Sequence, residues 1–136
     1  MTENLQPNLV TNNSRCLSQP NLIFPKPNDE IIPIEISFTD KKGIKDKKFR
    51  DEVIDDIYDM LFKSLKMTSF GMAFKNNTEV ISFNLIKGEE DNTVFTFIYE
   101  KLMLLKETEP NFRFKISGIS LEMMRLFRET MKNIKL

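Results

Sequence analysis

Histidine is absent from this chain, and cysteine occurs once, at Cys16. Without imidazole the chain lacks the usual general base and the commonest metal ligand, which excludes Ser-His and Cys-His hydrolase mechanisms. A single cysteine forms neither an intrachain disulfide nor a cysteine-based zinc site. We therefore expect no catalytic residue, no metal site and no cofactor, in a protein of a reducing, cytoplasmic compartment.

Net charge and long apolar runs are missing as well. Twenty Lys and Arg side chains balance twenty Asp and Glu side chains, so no overall field draws the chain to nucleic acid or to an anionic membrane. No stretch reaches the ~18 apolar residues of a membrane span, and neither terminus has the pattern of a secretory signal. With 136 residues, the chain has room for one domain. We expect it to bind a protein partner through local surface, without nucleic acid.

Residues 1–30 differ in composition from the remainder. They hold four prolines, many Asn, Gln and Ser, and few large apolar side chains before Leu22. Such a segment buries too little apolar surface to offset its chain entropy. We expect residues 1–30 to form a flexible N-terminal tail, in which residues 22–24 are able to attach either to the domain formed by residues 31–136 or to a partner.

The domain alternates between strand and helix patterns. Apolar side chains at every second position predict half-buried strands, and apolar side chains at helical spacing predict amphipathic helices. The predicted strands are residues 32–38, 70–74, 80–86 and 112–116, and the predicted helices are residues 47–67, 93–107 and a last one from Leu121. Pro33 lacks an N–H, so its strand should begin near an edge or leave that position unpaired. The order β-α-β-β-α-β-α indicates a single α/β domain with a mixed sheet and helices mainly on one side.

The two middle strands flank an Asn-rich segment, which indicates a hairpin. Phe70, Met72 and Phe74 alternate along its first strand, and we expect them to pack on the helices. The pattern is also faintly similar to the aromatic strand of an RNA-recognition motif, whose rings stack on bases at an open sheet face. The alternative assignment is therefore a ferredoxin-like βαββαβ domain that binds RNA or a small ligand there, and it predicts an antiparallel sheet.

The loop before the helix at residues 93–107 carries three capping side chains, Asp91, Asn92 and Thr93. Their oxygens accept hydrogen bonds from the unpaired N–H groups of a first helical turn, which is the simple interpretation. The second interpretation is that the loop is a phosphorylation switch. A phosphate on Thr93, at a helix N-terminus, would be stabilised by about 0.3–1 kcal/mol.

The same helix carries more apolar side chains than one core contact needs. A core row can start at Val94, which leaves Phe95, Tyr99 and Met103 at spacing i, i+4 and i+8 as a second row. Either another element covers this row, or it is a docking surface for a partner beside the loop.

Residues 80–131 resemble a STAS domain, the module of bacterial anti-sigma-factor antagonists. The similarity lies in the strand at residues 80–85, in Asp91-Asn92-Thr93 at the place of the Asp-Ser-Ser/Thr-Gly loop of the family, and in the strand, turn and helix at residues 112–127. The resemblance implies that Asp91 takes the acidic position of that loop and Thr93 the hydroxyl that a partner kinase phosphorylates. Asn92 stands where the family has a serine.

The STAS resemblance implies a non-enzymatic, phosphorylation-controlled partner-switching regulator. In that mechanism the row formed by Phe95, Tyr99 and Met103 docks the partner, and a phosphate on Thr93 places an unpaired charge in the interface and releases it. It also needs the strand at residues 80–85 to run parallel to the strand at residues 112–116.

Overall fold

The computed structural model describes residues 19–40 and 44–134, and its side chains are described as far as residue 129. The strands are β1 (Asn21–Leu22), β2 (Ile31–Asp40), β3 (Lys66–Lys75), β4 (Thr78–Ile86) and β5 (Phe112–Ser117). The helices are α1 (Lys47–Ser64), α2 (Asn92–Thr108) and α3 (Leu121–Ile134). From β2 onward the predicted order of elements is confirmed, and β1 precedes it as an additional strand.

One sheet contains all five strands, in the order β1-β3-β4-β2-β5. β1 pairs with β3 in parallel and the other pairs are antiparallel, so the sheet is mixed. β4 and β5 run in the same direction, but β2 lies between them. The single α/β domain is therefore confirmed, and the antiparallel pairing from β2 to β5 is the one expected for the ferredoxin-like alternative.

Both long helices, α1 and α2, cover the same face of the sheet. Asp46 caps α1, because the Asp46 carboxylate accepts a hydrogen bond from Phe49 N at 3.0 Å. The core is formed by inward side chains of the strands and helices, among them Ile34, Ile36, Phe38, Ile57, Leu61, Ile81, Phe83, Ile98 and Leu102. The expectation of helices mainly on one side is confirmed, and the opposite face carries no helix of the described part.

β2 is an interior strand although it contains Pro33. Glu30 O accepts from Lys87 N at 2.8 Å, so by alternation the main chain of Pro33 faces away from β4. On that side β5 pairs with β2 only from Glu35 onward, and Pro33 therefore lacks an N–H where no strand needs one. The chain leaving β5 passes close by, because a Cβ on Gly118 (φ 94°) would lie 2.1 Å from Pro33 O.

β3 and β4 form the predicted hairpin. The turn residues Asn76 (φ 49°) and Asn77 (φ 65°) are both left-handed, and Lys75 pairs with Thr78 across the turn. A two-residue turn of this kind matches the twist of the flanking strands, and asparagine tolerates its conformation better than most residues.

Glu109 is a buried charged residue, 2% exposed, that connects two parts of the fold. Its two carboxylate oxygens accept from Lys45 N and Asp46 N, each at 2.9 Å. Its carbonyl oxygen accepts from Phe112 N at 3.0 Å. Glu109 therefore joins the segment before α1 to the start of β5. Its position in the sequence, at the end of α2, does not predict this role.

β1 extends the folded part of the chain beyond the predicted boundary at residue 31. Asn21 and Leu22 pair with Lys66 and Met67 of β3, and Ile23 N donates to Met67 O at 2.8 Å. Residues 21–23 are thus attached to the domain by their main chain, whereas Phe24 is 95% exposed. Residues 1–18 of the predicted tail, with Cys16, lie outside the described residues.

Candidate functional site

The loop between β4 and α2 is held by local hydrogen bonds. Gly88 (φ 97°) turns the chain after β4, and its N–H donates to Glu90 Oε1 at 2.7 Å. Asp91 is the cap of α2, because its Oδ1 accepts from Thr93 N at 2.9 Å. Of the three capping candidates in the sequence, Asp91 takes that place.

Thr93 lies exposed in the first turn of α2, and Asn92 is exposed beside it. The Thr93 hydroxyl is therefore accessible at a helix N-terminus, where a phosphate is favoured by the free N–H groups. The exposed side chains of Glu89, Glu90 and Asp91 stand directly before it. A phosphate on Thr93 would add to a local negative charge that the loop already carries.

The second apolar row of α2 is covered by the chain itself. Phe95 is 1% exposed and Met103 is 7% exposed. The ring of Tyr99 is stacked on Phe127 of α3, with ring centroids 4.5 Å apart, and meets Phe114 of β5 edge-on at 5.7 Å. The expectation of an exposed docking row is corrected, because α3 packs over α2 and places these side chains inside the domain.

An open groove of about 360 Å³ remains between α2, β5 and α3. Its lining includes the apolar side chains Tyr99, Met103, Phe114, Ile119 and Met124, together with Lys106, Lys115 and Arg128. Burial raises the pKa of Tyr99 above its ordinary value of 10.0. The groove also carries the cationic side chains of Lys106 and Arg128 beside apolar ones.

The uncovered face of the sheet carries polar side chains together with the aliphatic side chains of Ile31, Val80 and Ile86. The polar side chains include Glu35, Ser37, Ser82, Asn84, Arg113 and Lys115, which alternate with the core side chains of β2, β4 and β5. None of the described strand residues places an aromatic ring on this face. It therefore lacks the stacking platform with which sheet proteins bind single-stranded RNA.

The outer edge of β3 is apolar and uncovered. β1 pairs only with Lys66 and Met67, so residues 69–75, here called the free β3 edge, have no partner strand on that side within the described chain. The Phe70 ring packs on Phe62 of α1, with centroids 5.1 Å apart, whereas Met72 is 53% exposed and Phe74 is 72% exposed.

This edge corrects the expectation that Phe70, Met72 and Phe74 all pack on the helices. They do share the inward face, but β3 is outside β4 in the sheet, and of these three only Phe70 is among the side chains that pack against the core. The sequence carries one signal of an edge that sequence analysis passed over, because no charged residue lies between Lys66 and Lys75.

Neither a metal site nor a membrane span is found in residues 19–40 and 44–134. No group of three or more Asp, Glu, Cys or His side chains is placed to hold a metal ion there, and no helix there is long and apolar enough to cross a membrane. In comparisons with known proteins, no family model, curated protein or solved structure matches this chain.

Proposed function

We propose that this chain is a non-enzymatic protein-interaction module of the cytoplasm that docks a partner along the free β3 edge. The observation that carries the proposal is the exposure of Met72 and Phe74, at 53% and 72%, on a strand whose outer side is unpaired in the described part of the chain. A long, apolar and uncharged edge strand is a template for pairing with another strand.

The edge supplies both components of strand-addition binding. Its unpaired N–H and C=O groups give a partner strand main-chain hydrogen bonds, and its alternating side chains give apolar contact. Between Lys66 and Lys75 the strand has no charged residue that would oppose a second strand. An extended apolar segment is therefore the partner chemistry that this edge fits.

The test compares protein capture by the wild type, Phe74→Lys and Leu104→Lys. Leu104 on α2 is 43% exposed, so Leu104→Lys is a matched change of an exposed apolar side chain away from the edge. We expect a partner from the native cell extract to be retained by the wild type and by Leu104→Lys, and to be lost with Phe74→Lys. Equal capture by all three proteins would remove the proposal.

The STAS-type switch loses its docking row, because Phe95 and Met103 are buried. It is a second candidate only at the loop, where it is supported by the exposure of Thr93 at the start of α2. Thr93 follows the end of β4, where Leu85 pairs with Met67, whereas Phe74 pairs with Glu79 near the opposite end of that strand. A phosphate on Thr93 would thus control a contact at the loop and not one at the β3 edge. Partner capture by Thr93→Ala and Thr93→Glu tests this switch, which requires the two variants to differ.

The ferredoxin-like alternative, with RNA or a small ligand on the uncovered sheet face, is supported by the strand order β3-β4-β2-β5. The side chains on that face support it less, because Arg113 and Lys115 are accompanied by Glu35 and no ring is present. Retention on an RNA column at low salt that falls steeply with added salt is the expected result for this alternative. No retention at low salt contradicts it.

A further inference from the structure

The main-chain groups at the free β3 edge follow from the hairpin turn. Lys75 and Thr78 flank a two-residue turn and therefore form a hydrogen-bonded pair. Along an antiparallel strand, successive residues direct their N–H and C=O groups to alternate sides. The groups of Phe74, Met72 and Phe70 consequently point away from β4, toward the side without a partner strand.

The free edge is symmetric about Met72. β1 ends its pairing at Met67, the register of β3 shifts between Met67 and Ser69, and the hairpin turn begins at Asn76. The regular part of the free edge is therefore residues 69–75, and Met72 is its midpoint. Around it the sequence reads Phe70-Gly71-Met72-Ala73-Phe74. This order of large, small, large, small and large side chains is the same in both directions, so an antiparallel contact between two copies centred on Met72 places large side chains opposite large ones and small opposite small.

We infer that the occupant of this edge is a second copy of the chain, with β3 pairing antiparallel to β3 of the other copy around a two-fold axis at Met72. The pairing joins the two five-stranded sheets into one continuous sheet. The inference rests on the proposed function, since it names the partner of the same edge.

On the helix-facing side of the paired strands, the large side chains meet one another. Met72 lies opposite Met72 of the second copy, and Phe70 lies opposite its Phe74. Phe74 and Met72 are the exposed members of this set, at 72% and 53%. Cross-strand contact with an aromatic neighbour covers the apolar surface that the helices of each copy leave exposed.

On the other side of the strands, small and polar residues face one another without conflict. Gly71 lies opposite Ala73 of the second copy, and Ser69 lies opposite its Lys75. The two lysines of the pair thus stand at opposite ends of the contact, so no like charges meet. A shift of one residue in register would place the outward-facing main-chain groups of one copy opposite residues whose groups face β4, so the hydrogen bonds between the copies would be lost.

The contact is small, which sets the expected affinity. With ~200 Å² for a large apolar side chain, covering the exposed parts of Met72 and Phe74 in both copies removes roughly 500 Å² from water. Stable protein interfaces bury about 1,200–2,000 Å² in total, and smaller ones belong to weak or transient complexes. The dimer should therefore form in a concentration-dependent way.

The test uses the purified full chain and measures its mass by sedimentation over a range of concentrations. The wild type and the control Leu104→Lys are expected to self-associate equally. Met72→Lys alone and Met72→Glu alone each place two like charges opposite one another at the axis, so each variant should associate at least about tenfold more weakly. An equimolar mixture of the two variants should recover association, because opposite charges then meet.

Recovery by the mixture is the result that only the two-fold contact at Met72 predicts. A wild type that stays monomeric at every concentration, open-ended aggregation, or a dimer that Met72→Lys does not weaken would each overturn the inference. The proposed function fails on a different result, namely equal capture from extract by Phe74→Lys and the wild type. A monomeric wild type that still loses its captured partner through Phe74→Lys overturns the dimer alone.

Discussion

The two edges of the sheet, at β5 and at β3, differ in length, in charge and in how far their side chains are covered. β5 is short, and its inward side is covered where Tyr99 of α2 packs on Phe114 and on Phe127 of α3. Its outward side carries Arg113 and Lys115. β3 is longer, has no charge between Lys66 and Lys75, and leaves apolar side chains exposed.

Charges and short strands protect sheet edges from pairing with other chains, and a long apolar edge without charges does the reverse. In β5 the Arg113 side chain also donates to the carbonyl oxygens of Pro110 and Phe112 at 2.7 and 2.8 Å. Within one sheet, then, the β5 edge is short and carries charges, whereas the β3 edge is long, uncharged between Lys66 and Lys75, and apolar.

The largest expected effect comes from a substitution just after β5, where the chain passes close to β2. Gly118→Ala should destabilise the fold by about 3–5 kcal/mol, because its Cβ would lie 2.1 Å from Pro33 O and its φ is 94°. Gly88→Ala is the matched control, since Gly88 has φ 97° but no atom within 4 Å of the added Cβ. We expect only about 1–2 kcal/mol there. Urea unfolding of both variants measures the difference, and equal losses would contradict the close approach.

The second prediction compares one lysine at each edge. Phe114→Lys should cost about 2–4 kcal/mol, because it removes a ring that contacts Tyr99 and places a charge in a half-buried position. Phe74→Lys should change the free energy of unfolding by no more than about 0.5 kcal/mol, because Phe74 is 72% exposed. Unfolding is measured in dilute protein, where association does not contribute. A similar loss in the two variants would mean that the edges do not differ.

The fold could be predicted from the sequence where local patterns determine it. Asp46 marks the start of α1, and Asn76 and Asn77 mark the hairpin turn, because capping and left-handed turns depend on near neighbours in the chain. Which strand is an edge depends on the pairing order, which no local pattern contains. The burial of Phe95 and the exposure of Phe74 both follow from that order and from the place of α3. From the sequence, Thr93 and its loop were consequently placed at the surface, where the structure has them, but the exposed β3 edge was not identified.

Glu109 gives the third prediction, at the connection between the start of β5 and α1. Glu109→Ala leaves Lys45 N and Asp46 N without the carboxylate that accepts from both at 2.9 Å, so we expect a loss of about 2–3 kcal/mol. Glu109→Gln keeps one accepting oxygen and turns an amide donor toward the other N–H, so its loss should be intermediate. Unfolding free energies of the three proteins give the order, and a Gln variant less stable than the Ala variant would contradict this geometry.

The smallest expected effect concerns Tyr99, whose titration reports whether α3 stays packed over α2 and β5. Burial raises the pKa of Tyr99 in the folded protein above its ordinary value of 10.0. The neutral phenol therefore contributes stability that is complete below pH 10.0 and is lost as the pH rises through the raised folded pKa. The size is small because the side chain is only half-buried. Tyr58 is the one other tyrosine, so the ultraviolet titration of the wild type minus that of Tyr99→Phe isolates Tyr99. If Tyr99 titrates at or below its ordinary pKa, α3 leaves its ring in water. The inward side of β5 would then be as exposed as the β3 edge.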